Sequence, residues 1–314
     1  MHNDRPNLVL LHGWGMNNAV WDALPATFTD RFHLHPIELP GHGHAPFETD
    51  WRDLPDWADA VLAQAPEQAL WLGWSLGALV ALQAALQTRV PGRPLGPGQQ
   101  VPAEDKPSYS FATRDGWPSN SDKVGSPSSA LRSSHLSRSQ PTSRSNQRSS
   151  RISALILVTA NPRFVQAADW RAAMPDEVFE GFHAALLDDP NATLERFLAL
   201  QVRGSEEARE TLRRLRTGIA ERPQPQPDAL QVGLDLLREE DLRARLADIP
   251  QPALWLFGER DTLVPATVAE RVALLMPTAR CQTIPGAAHA PLLSHGDAVA
   301  AAIADFLYGT SASV

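Results

Sequence analysis

Residues 69–86 read ALWLGWSLGALVALQAAL and contain the most informative pattern of the chain. A mainly apolar run leads to Ser75, which stands between Gly73 and Gly77, and an alanine- and leucine-rich segment follows at once. The run is typical of a buried strand, and the segment after it favours a helix. In the pattern G-x-S-x-G, a serine on a sharp strand-to-helix turn exposes its hydroxyl, which makes Ser75 a candidate nucleophile. The alternative is a small polar residue at an ordinary turn, and residues elsewhere in the chain have to distinguish the two.

Further apolar stretches with strand character occur at 7–13, 33–39, 153–160, 252–258 and 280–284. Most are nearly continuous apolar runs, as in strands that are buried on both faces of a parallel sheet. Helical patterns lie between many of them, at 53–65, 76–89, 266–276 and 296–308. This alternation predicts an α/β fold in which helices flank a mostly parallel central sheet.

Two regions interrupt the alternation. Residues 91–150 are rich in Ser, Pro, Gly and Arg, carry a formal charge of +4, and contain too few apolar residues to form a core. We expect a disordered insertion in a surface loop, because loop-closure entropy grows slowly with length. Arg/Ser mixtures also occur in RNA-binding segments. The rest of the chain carries a charge of −12, which argues against general nucleic-acid binding.

The second interruption, 163–245, is helical throughout and predicts four helices inserted as a lid over the strand ends. Asn191 and Ser205 are the predicted N-caps of two of them. The α/β core is therefore expected in three pieces, 1–90, 151–162 and 246–314.

A serine nucleophile needs a base that is itself oriented, and on this architecture the chain order should be Ser, then Asp or Glu, then His. Asp261 follows the strand pattern PALWLFG, and His289 follows the next strand pattern, RCQTI. Both are therefore expected at the carboxyl edge of the sheet, where active sites of open α/β sheets lie. Glu259 is an alternative acid, and His295 is a second histidine for which helix capping or a surface position is expected.

The oxyanion of an acyl-transfer intermediate needs preorganised N–H donors. The backbone N–H of Leu76, directly after the nucleophile, is the first candidate. The second is the N–H of Trp14, in the loop HGWG after the first strand. His12 begins this loop, and we expect it to be structural rather than a second base.

Metal and membrane functions have little support in the sequence. His33, His35, His42 and His44 cluster in HLHPIELPGHGHA, but no nearby residues complete a metal-ligand spacing, and we expect no metal or cofactor. The single cysteine, Cys281, excludes a disulfide framework and reads as a buried thiol. The N-terminal run LVLL is too short for a signal peptide or a membrane span, so a cytoplasmic location is the default expectation. We also expect a monomer.

Together, HGWG, GWSLG, LFGERDTLVP and GAAHAPLLSH resemble the α/β-hydrolase superfamily. The segments LVLLHGWGMN, WLGWSLGALVA, ERFLALQ and AAHAPLLSH are more specifically similar to the pimeloyl-acyl-carrier-protein methyl ester esterases of biotin biosynthesis. The resemblance implies a triad of Ser75, Asp261 and His289, and it implies that Trp14 and Leu76 contribute to the substrate site.

The same resemblance assigns roles in the lid. It implies that Phe197, Leu198, Ala199, Leu200 and Gln201 line the acyl channel. It also implies that Arg196, Arg209 and Arg213 dock an acidic acyl carrier protein, although exposed arginines are usually solvated or salt-bridged. The chain departs from the family at Glu38, where the family has Asp, and at Ala45, where it has Ser. An edge strand that the family places before the first strand of this chain is expected to be shortened or missing.

These residues predict a serine carboxylester hydrolase, and the resemblance implies that it demethylates pimeloyl-acyl carrier protein methyl ester. A broad-specificity short-chain carboxylesterase with the same triad is the runner-up. C–C bond hydrolysis and a non-enzymatic ligand-binding role stay open, whereas haloalkane dehalogenation would need an aspartate at Ser75.

Overall fold

A computed structural model describes residues 5–88 and 151–309, and these belong to one compact unit. The insertion 91–150, which is predicted to be disordered, lies outside the described residues. The predicted α/β fold is confirmed: strands and helices alternate around one sheet.

Six strands form this sheet in the order β2-β1-β3-β4-β5-β6, and every neighbouring pair is parallel. Each strand lies where the apolar runs predict it, within two residues at either end. The strands are β1 (Asn7–Leu11), β2 (His33–Ile37), β3 (Ala69–Trp74), β4 (Ile152–Val158), β5 (Ala253–Gly258) and β6 (Ala279–Ile284).

The described helices pack around the sheet and beyond its carboxyl edge. None of those in residues 5–88 and 151–309 combines the length and apolar character needed to cross a membrane. They are α1 (Ala26–Thr29), α2 (Leu54–Leu62), α3 (Leu76–Gln87), α4 (Asp176–Asp188), α5 (Pro190–Val202), α6 (Ala208–Ala220), α7 (Pro227–Glu239), α8 (Val268–Leu275), α9 (Pro291–Ser294) and α10 (Gly296–Tyr308), with 3-10 helices at Asn18–Ala23 and Arg243–Asp248.

The strand order places a binding site. The chain runs from β1 outward to β2 and then returns to β3 on the other side of β1, so the order reverses between β1 and β3. Ligands of open α/β sheets bind outside the carboxyl ends of strands at such a switch point. β3 is buried along its whole length, so its carboxyl end is held within the core. The loop after β1 and the turn after β3 therefore face the same crevice.

Helices α4 to α7 lie between β4 and β5 in the chain, and we call them the cap. Both N-cap predictions are wrong. α5 begins two residues earlier than expected, with Pro190 in its first turn, and the Asp189 side chain accepts from the Ala192 N–H at 3.0 Å. Ser205 Oγ accepts from the Glu207 N–H at 3.3 Å, but in a turn that precedes α6.

Candidate active site

Ser75 lies on the turn between β3 and α3 with a left-handed backbone, φ 56° and ψ −116°. Such a conformation strains a residue that has a side chain, and its cost is on the order of 1–3 kcal/mol. Both flanking glycines are needed by close packing. A Cβ on Gly73 would collide with the backbone of Gly77 and Ala78, and one on Gly77 would collide with the Leu11 carbonyl. The sequence therefore forms a tight elbow with Ser75 at its tip.

Asp261 and His289 meet in the interior, as the sequence order predicts. Asp261 Oδ2 lies 2.7 Å from His289 Nδ1, and both side chains are fully buried. The other oxygen of Asp261 accepts from the backbone N–H groups of Leu263 (2.8 Å) and Val264 (2.9 Å). The hydrogen-bonding capacity of both carboxylate oxygens is therefore satisfied although water is excluded.

Two buried polar atoms, one on Ser75 and one on the histidine of this pair, stay without a partner among the described residues, so Ser75 Oγ and His289 Nε2 are not hydrogen-bonded to each other. Buried polar atoms are rarely left unsatisfied, and each such exception needs an explanation. A hydroxyl and an imidazole nitrogen that are both uncommitted provide a donor and an acceptor for a reacting ligand.

The alternative residues have other contacts. Glu259 Oε2 accepts from the Gly286 N–H at 2.8 Å and so supports the loop after β6. His295 precedes α10 without a side-chain capping bond, and its Nδ1 lies 2.8 Å from Ser294 Oγ. Neither residue is in the position that Asp261 or His289 occupies.

The candidate oxyanion donors are the backbone N–H groups of Trp14 and Leu76. Leu76 is the first residue of α3, so its N–H has no acceptor inside the helix. The Trp14 N–H likewise makes no backbone hydrogen bond among the described residues. The Trp14 indole is fully buried, and its Nε1 donates to the Leu230 oxygen of α7 at 2.8 Å. Gly233 leaves room for this ring, since a Cβ there would lie 2.8 Å from Trp14 Cδ1.

A buried network of polar contacts supports the loop that contains Trp14. His12 Nε2 lies 2.9 Å from Glu38 Oε2, and both Glu38 oxygens accept from the Asn18 N–H at 3.0–3.1 Å. The Gly15 N–H donates to His42 Nε2 at 3.3 Å. Burial, and then the neighbouring His12, lower the pKa of His42 to about 3, so its ring stays neutral and accepts this bond.

The side chains of the histidine-rich stretch lie in different surroundings. His42 Nδ1 contacts the Pro40 oxygen at 2.9 Å, and His35 Nε2 contacts Asn7 at 2.9 Å, while His44 is exposed. In residues 5–88 and 151–309, no group of three or more His, Cys, Asp or Glu side chains is arranged to bind a metal ion. Cys281 is half-buried in β6, and burial raises its pKa to about 11.

The predicted channel residues of α5 divide between two faces. Phe197, Leu198 and Gln201 are buried, whereas Ala199 is exposed and Leu200 is half-buried. The Phe197 ring packs edge-on against Trp14 with centroids 4.8 Å apart. Gln201 lies one turn further along that face, and neither its oxygen nor its nitrogen has a hydrogen-bond partner in the described residues.

The outer face of the cap carries an apolar groove of about 720 Å³ between α4, α5 and α6. Half-buried Phe182, Leu200 and Leu212 line it together with the exposed side chains of Arg196, Arg203 and Arg209. We call it the cap groove. Within the described ranges, no carboxylate lies within salt-bridge distance of these three arginines.

Arg213 differs from the arginines of the cap groove. Its guanidinium forms two hydrogen bonds with Glu210, at 2.7 and 2.9 Å, and Arg214 contacts the same carboxylate at 3.0 Å. The two guanidinium groups lower the pKa of Glu210 to about 2, so the pair stays ionised. The predicted docking residue Arg213 therefore has its charge locally compensated, while Arg203, which the sequence reasoning missed, does not.

A model of the alpha/beta hydrolase family matches residues 8–302. The chain belongs to this family. A relative from Photobacterium profundum is 36% identical over 301 residues, covering 96% of this chain and 94% of that protein. Another, from Pectobacterium carotovorum, is 38% identical over 292 residues, with coverage of 93% and 90%. Both are named pimeloyl-[acyl-carrier protein] methyl ester esterase.

Solved structures of alpha/beta hydrolases are similar in fold. An esterase from Exiguobacterium antarcticum matches with a TM-score of 0.68 and 16% identity, covering 96% of this chain and 91% of that one. A bromoperoxidase from Bacillus anthracis matches with a TM-score of 0.69 and 14% identity, with coverage of 98% and 93%. At such identities the similarity concerns the hydrolase fold alone.

Proposed function

We propose that this chain is a serine carboxylester hydrolase that demethylates pimeloyl-acyl carrier protein methyl ester. The observation that carries the proposal is the buried Asp261–His289 pair beside a strained serine elbow, with Ser75 Oγ and His289 Nε2 uncommitted. This arrangement suits nucleophilic catalysis, in which a base activates the hydroxyl and an acid orients the base.

The first half of the reaction forms an acyl-enzyme. Ser75 Oγ attacks the ester carbonyl carbon while His289 Nε2 takes the hydroxyl proton. The carbonyl π electrons move to its oxygen, which accepts from the N–H groups of Trp14 and Leu76. When the tetrahedral intermediate collapses, the bond to the methoxy group breaks, and His289 gives its proton to that oxygen, so methanol leaves.

In the second half, water replaces the serine. His289 Nε2 takes a proton from a water molecule as its oxygen attacks the acyl carbon. The bond to Ser75 then breaks, and His289 returns the proton to Oγ. The products are methanol and a free carboxylate on the acyl chain. Asp261 orients the imidazole throughout and stabilises its protonated form; no step requires a cofactor or a metal ion.

The choice of ester is supported by the named relatives and by the cap. Both relatives carry the name of the carrier-linked methyl ester. The cap groove offers apolar surface beside Arg196, Arg203 and Arg209. Such a surface suits an acidic protein whose contact surface has apolar side chains at its centre. Phe182 lines the groove and also contacts Phe197, with centroids 5.8 Å apart, and Phe197 contacts Trp14. An aromatic cluster therefore connects the docking groove with the loop of the candidate oxyanion donor.

Gln201 is a buried polar side chain of the cap that suits one end of a long substrate. It has no hydrogen-bond partner among the described residues, and a buried amide is satisfied when a ligand carbonyl or N–H reaches it. A carrier-linked acyl chain has polar groups at both ends, so one end can react at Ser75 while the other contacts Gln201.

The test compares substrates. The purified protein should have a higher kcat/KM for pimeloyl-acyl carrier protein methyl ester than for p-nitrophenyl butyrate. The wild-type gene should restore biotin-free growth to a strain that lacks its own esterase, whereas Ser75→Ala should not. Ser153→Ala is the matched control, because Ser153 lies in β4 and bonds to the Ala69 oxygen. Equal turnover of both esters without growth would leave a broad short-chain carboxylesterase instead.

A further inference from the structure

The backbone oxygen of His289 accepts two hydrogen bonds from buried side chains. Trp74 Nε1 donates at 2.8 Å, and Thr159 Oγ1 donates at 2.9 Å. All three residues are buried. Trp74 is the last residue of β3, and Thr159 directly follows β4. Two neighbouring strands therefore position the loop that carries the imidazole.

Thr159 adopts an unusual conformation for its residue type. Its φ is 44°, which lies in the left-handed region that β-branched side chains rarely occupy. Strain of this kind persists only where surrounding contacts require it. The Thr159 N–H donates to the Leu256 oxygen of β5 at 2.7 Å, and its hydroxyl donates to His289. Glycine would adopt this backbone without strain but has no hydroxyl to donate.

The carboxyl ends of β3 and β4 also position Ser75. The Ser75 N–H donates to the oxygen of Val158 at 3.0 Å, and Val158 is bonded to Thr159. Trp74 directly precedes Ser75 in the chain. The backbones of Ser75 and His289 are therefore connected by two short paths, one through the Trp74 indole and the other through Val158 and Thr159. Neither path includes Asp261, which contacts only the far side of the imidazole ring.

We propose that Thr159 and Trp74 are positioning residues that set the separation between Ser75 Oγ and His289 Nε2. This inference rests on the proposed function, because it assigns the two residues a task in proton transfer from the serine. Proton transfer depends steeply on geometry, and a displacement of about 1 Å in a catalytic group can lower the rate on the order of 100-fold. Asp261 sets the rotation of the ring, and the two bonds to the carbonyl set the location of the backbone from which the ring extends.

The variants are Thr159→Val, which keeps the shape but removes the hydroxyl, and Thr159→Ser, which restores the hydroxyl. Trp74→Phe removes the second donor and keeps an aromatic ring. We expect Thr159→Val and Trp74→Phe each to lower kcat about 10- to 100-fold with KM unchanged, and Thr159→Ser to recover most of the loss.

Thr88→Val is the matched control. The Thr88 hydroxyl also donates to a backbone carbonyl, that of Ala84 at 2.9 Å, but at the C-terminal end of α3, so kcat should stay at the wild-type value. Thermal unfolding of each variant separates a loss of positioning from a loss of fold. Wild-type kcat in Thr159→Val, or a serine variant as slow as the valine variant, would overturn the inference.

NMR spectroscopy tests the positioning role without a measurement of turnover. The proton between His289 Nδ1 and Asp261 should give a far-downfield NMR signal, which Thr159→Val should shift or broaden and Thr159→Ser should restore. Failure of the wild type to react with a fluorophosphonate would refute the proposed function, and an unchanged NMR signal in Thr159→Val would separately refute the positioning role.

Discussion

Oδ2 of Asp261 lies 2.7 Å from Nδ1 of His289, and the geometry around this contact fixes the tautomer of the ring. Because Oδ1 already accepts two backbone N–H groups, the carboxylate turns one defined oxygen toward the imidazole. A carboxylate only accepts, so the proton of the neutral ring lies on Nδ1 and the lone pair on Nε2. The lone pair is then available to the serine hydroxyl.

Asp261→Asn should therefore nearly abolish activity. The amide oxygen of asparagine should take over the bonds from Leu263 and Val264, which turns the amide NH₂ toward His289 Nδ1. The ring would then carry its proton on Nε2 and could not accept one from Ser75. We expect kcat to fall on the order of 10⁴-fold with little change in KM, measured on any ester that the wild type hydrolyses.

Glu259→Gln provides the control, because glutamine keeps the oxygen that accepts from Gly286. This variant should retain wild-type kcat within a few-fold. Substantial activity in Asp261→Asn together with a loss in Glu259→Gln would mean that the two acids have been assigned the wrong way round.

Substitution by alanine should change the free energy of unfolding in opposite directions at Gly77 and Gly181. A Cβ on Gly77 would collide with the backbone oxygens of Leu11 and His12, which cannot move without disturbing β1. Gly77→Ala should lower the free energy of unfolding by about 3 kcal/mol or more. Gly181 lies in α4 with no atom within 4 Å of an added Cβ, so Gly181→Ala should raise that free energy by about 1 kcal/mol.

Urea unfolding at a single pH measures both differences. The two variants carry the same added methyl group, so their comparison separates close packing from a general effect of alanine. A Gly77→Ala protein as stable as the wild type would show that α3 does not approach β1 as closely as described.

Residues in linear motifs could be predicted from the sequence, and residues defined by tertiary contacts could not. Ser75, Asp261 and His289 follow strand patterns in a fixed chain order, so their placement after the carboxyl ends of strands of one sheet was predictable. Thr159 carries no such signal, because its left-handed backbone and its bond to His289 arise only where three strands end together. Arg203 lies in no recognised motif, and only its groove distinguishes it.

Local sequence patterns were also insufficient to predict where the helices of the cap begin. Asn191 and Asp189 both favour an N-cap, and the proline between them determines which one is used, because proline suits the first helical turn. The hydrogen bonds that support the Trp14 loop could not be predicted, because Glu38 departs from the family pattern, which has Asp at this position. Its extra methylene does not prevent the carboxylate from contacting both His12 and Asn18.

His42 should make the fold sensitive to acid. Its pKa in the folded protein is about 3, below the ordinary value of 6.5, so below pH 6.5 the unfolded chain takes up a proton that the folded chain excludes. The stability from the neutral ring is complete above pH 6.5 and is lost as pH falls toward 3. Between pH 7 and pH 5, His42 should account for a loss of about 2 kcal/mol in the free energy of unfolding.

Urea unfolding of His42→Asn at both pH values tests this contribution. The variant should be less stable than the wild type at pH 7, because Gly15 loses its acceptor, but its stability should change less between the two pH values. His44→Asn, on the exposed part of the same turn, controls for the loss of an imidazole and should follow the wild type. An identical pH dependence in His42→Asn and the wild type would contradict the burial of a neutral His42.

The cap groove should discriminate between carrier-linked and free esters. Replacing Arg196, Arg203 and Arg209 together by alanine should raise KM for the carrier-linked ester roughly tenfold, and the wild-type KM should itself rise with salt. The kcat for a small ester should not change, since the groove lies on the outer face of the cap.

Two single variants calibrate the effect of the groove arginines. Arg213→Ala should raise KM less than removal of any one of them, because Glu210 already pairs with Arg213. Arg271→Ala, on α8, removes the same charge from a helix that packs on β6 and should leave KM unchanged. An equal rise in KM for the carrier-linked ester in all these variants would indicate general electrostatic attraction rather than docking at the cap groove.

The fit between Trp14 and the cap limits how this enzyme can evolve or be engineered. The indole donates to Leu230 and occupies the space that a side chain at Gly233 would fill. A cap exchanged with that of another hydrolase would therefore need a glycine at position 233, or the core would need a smaller residue at position 14. New specificities in this lineage should then arise by coordinated changes in two segments that are far apart in the gene, so a cap is not a freely interchangeable module.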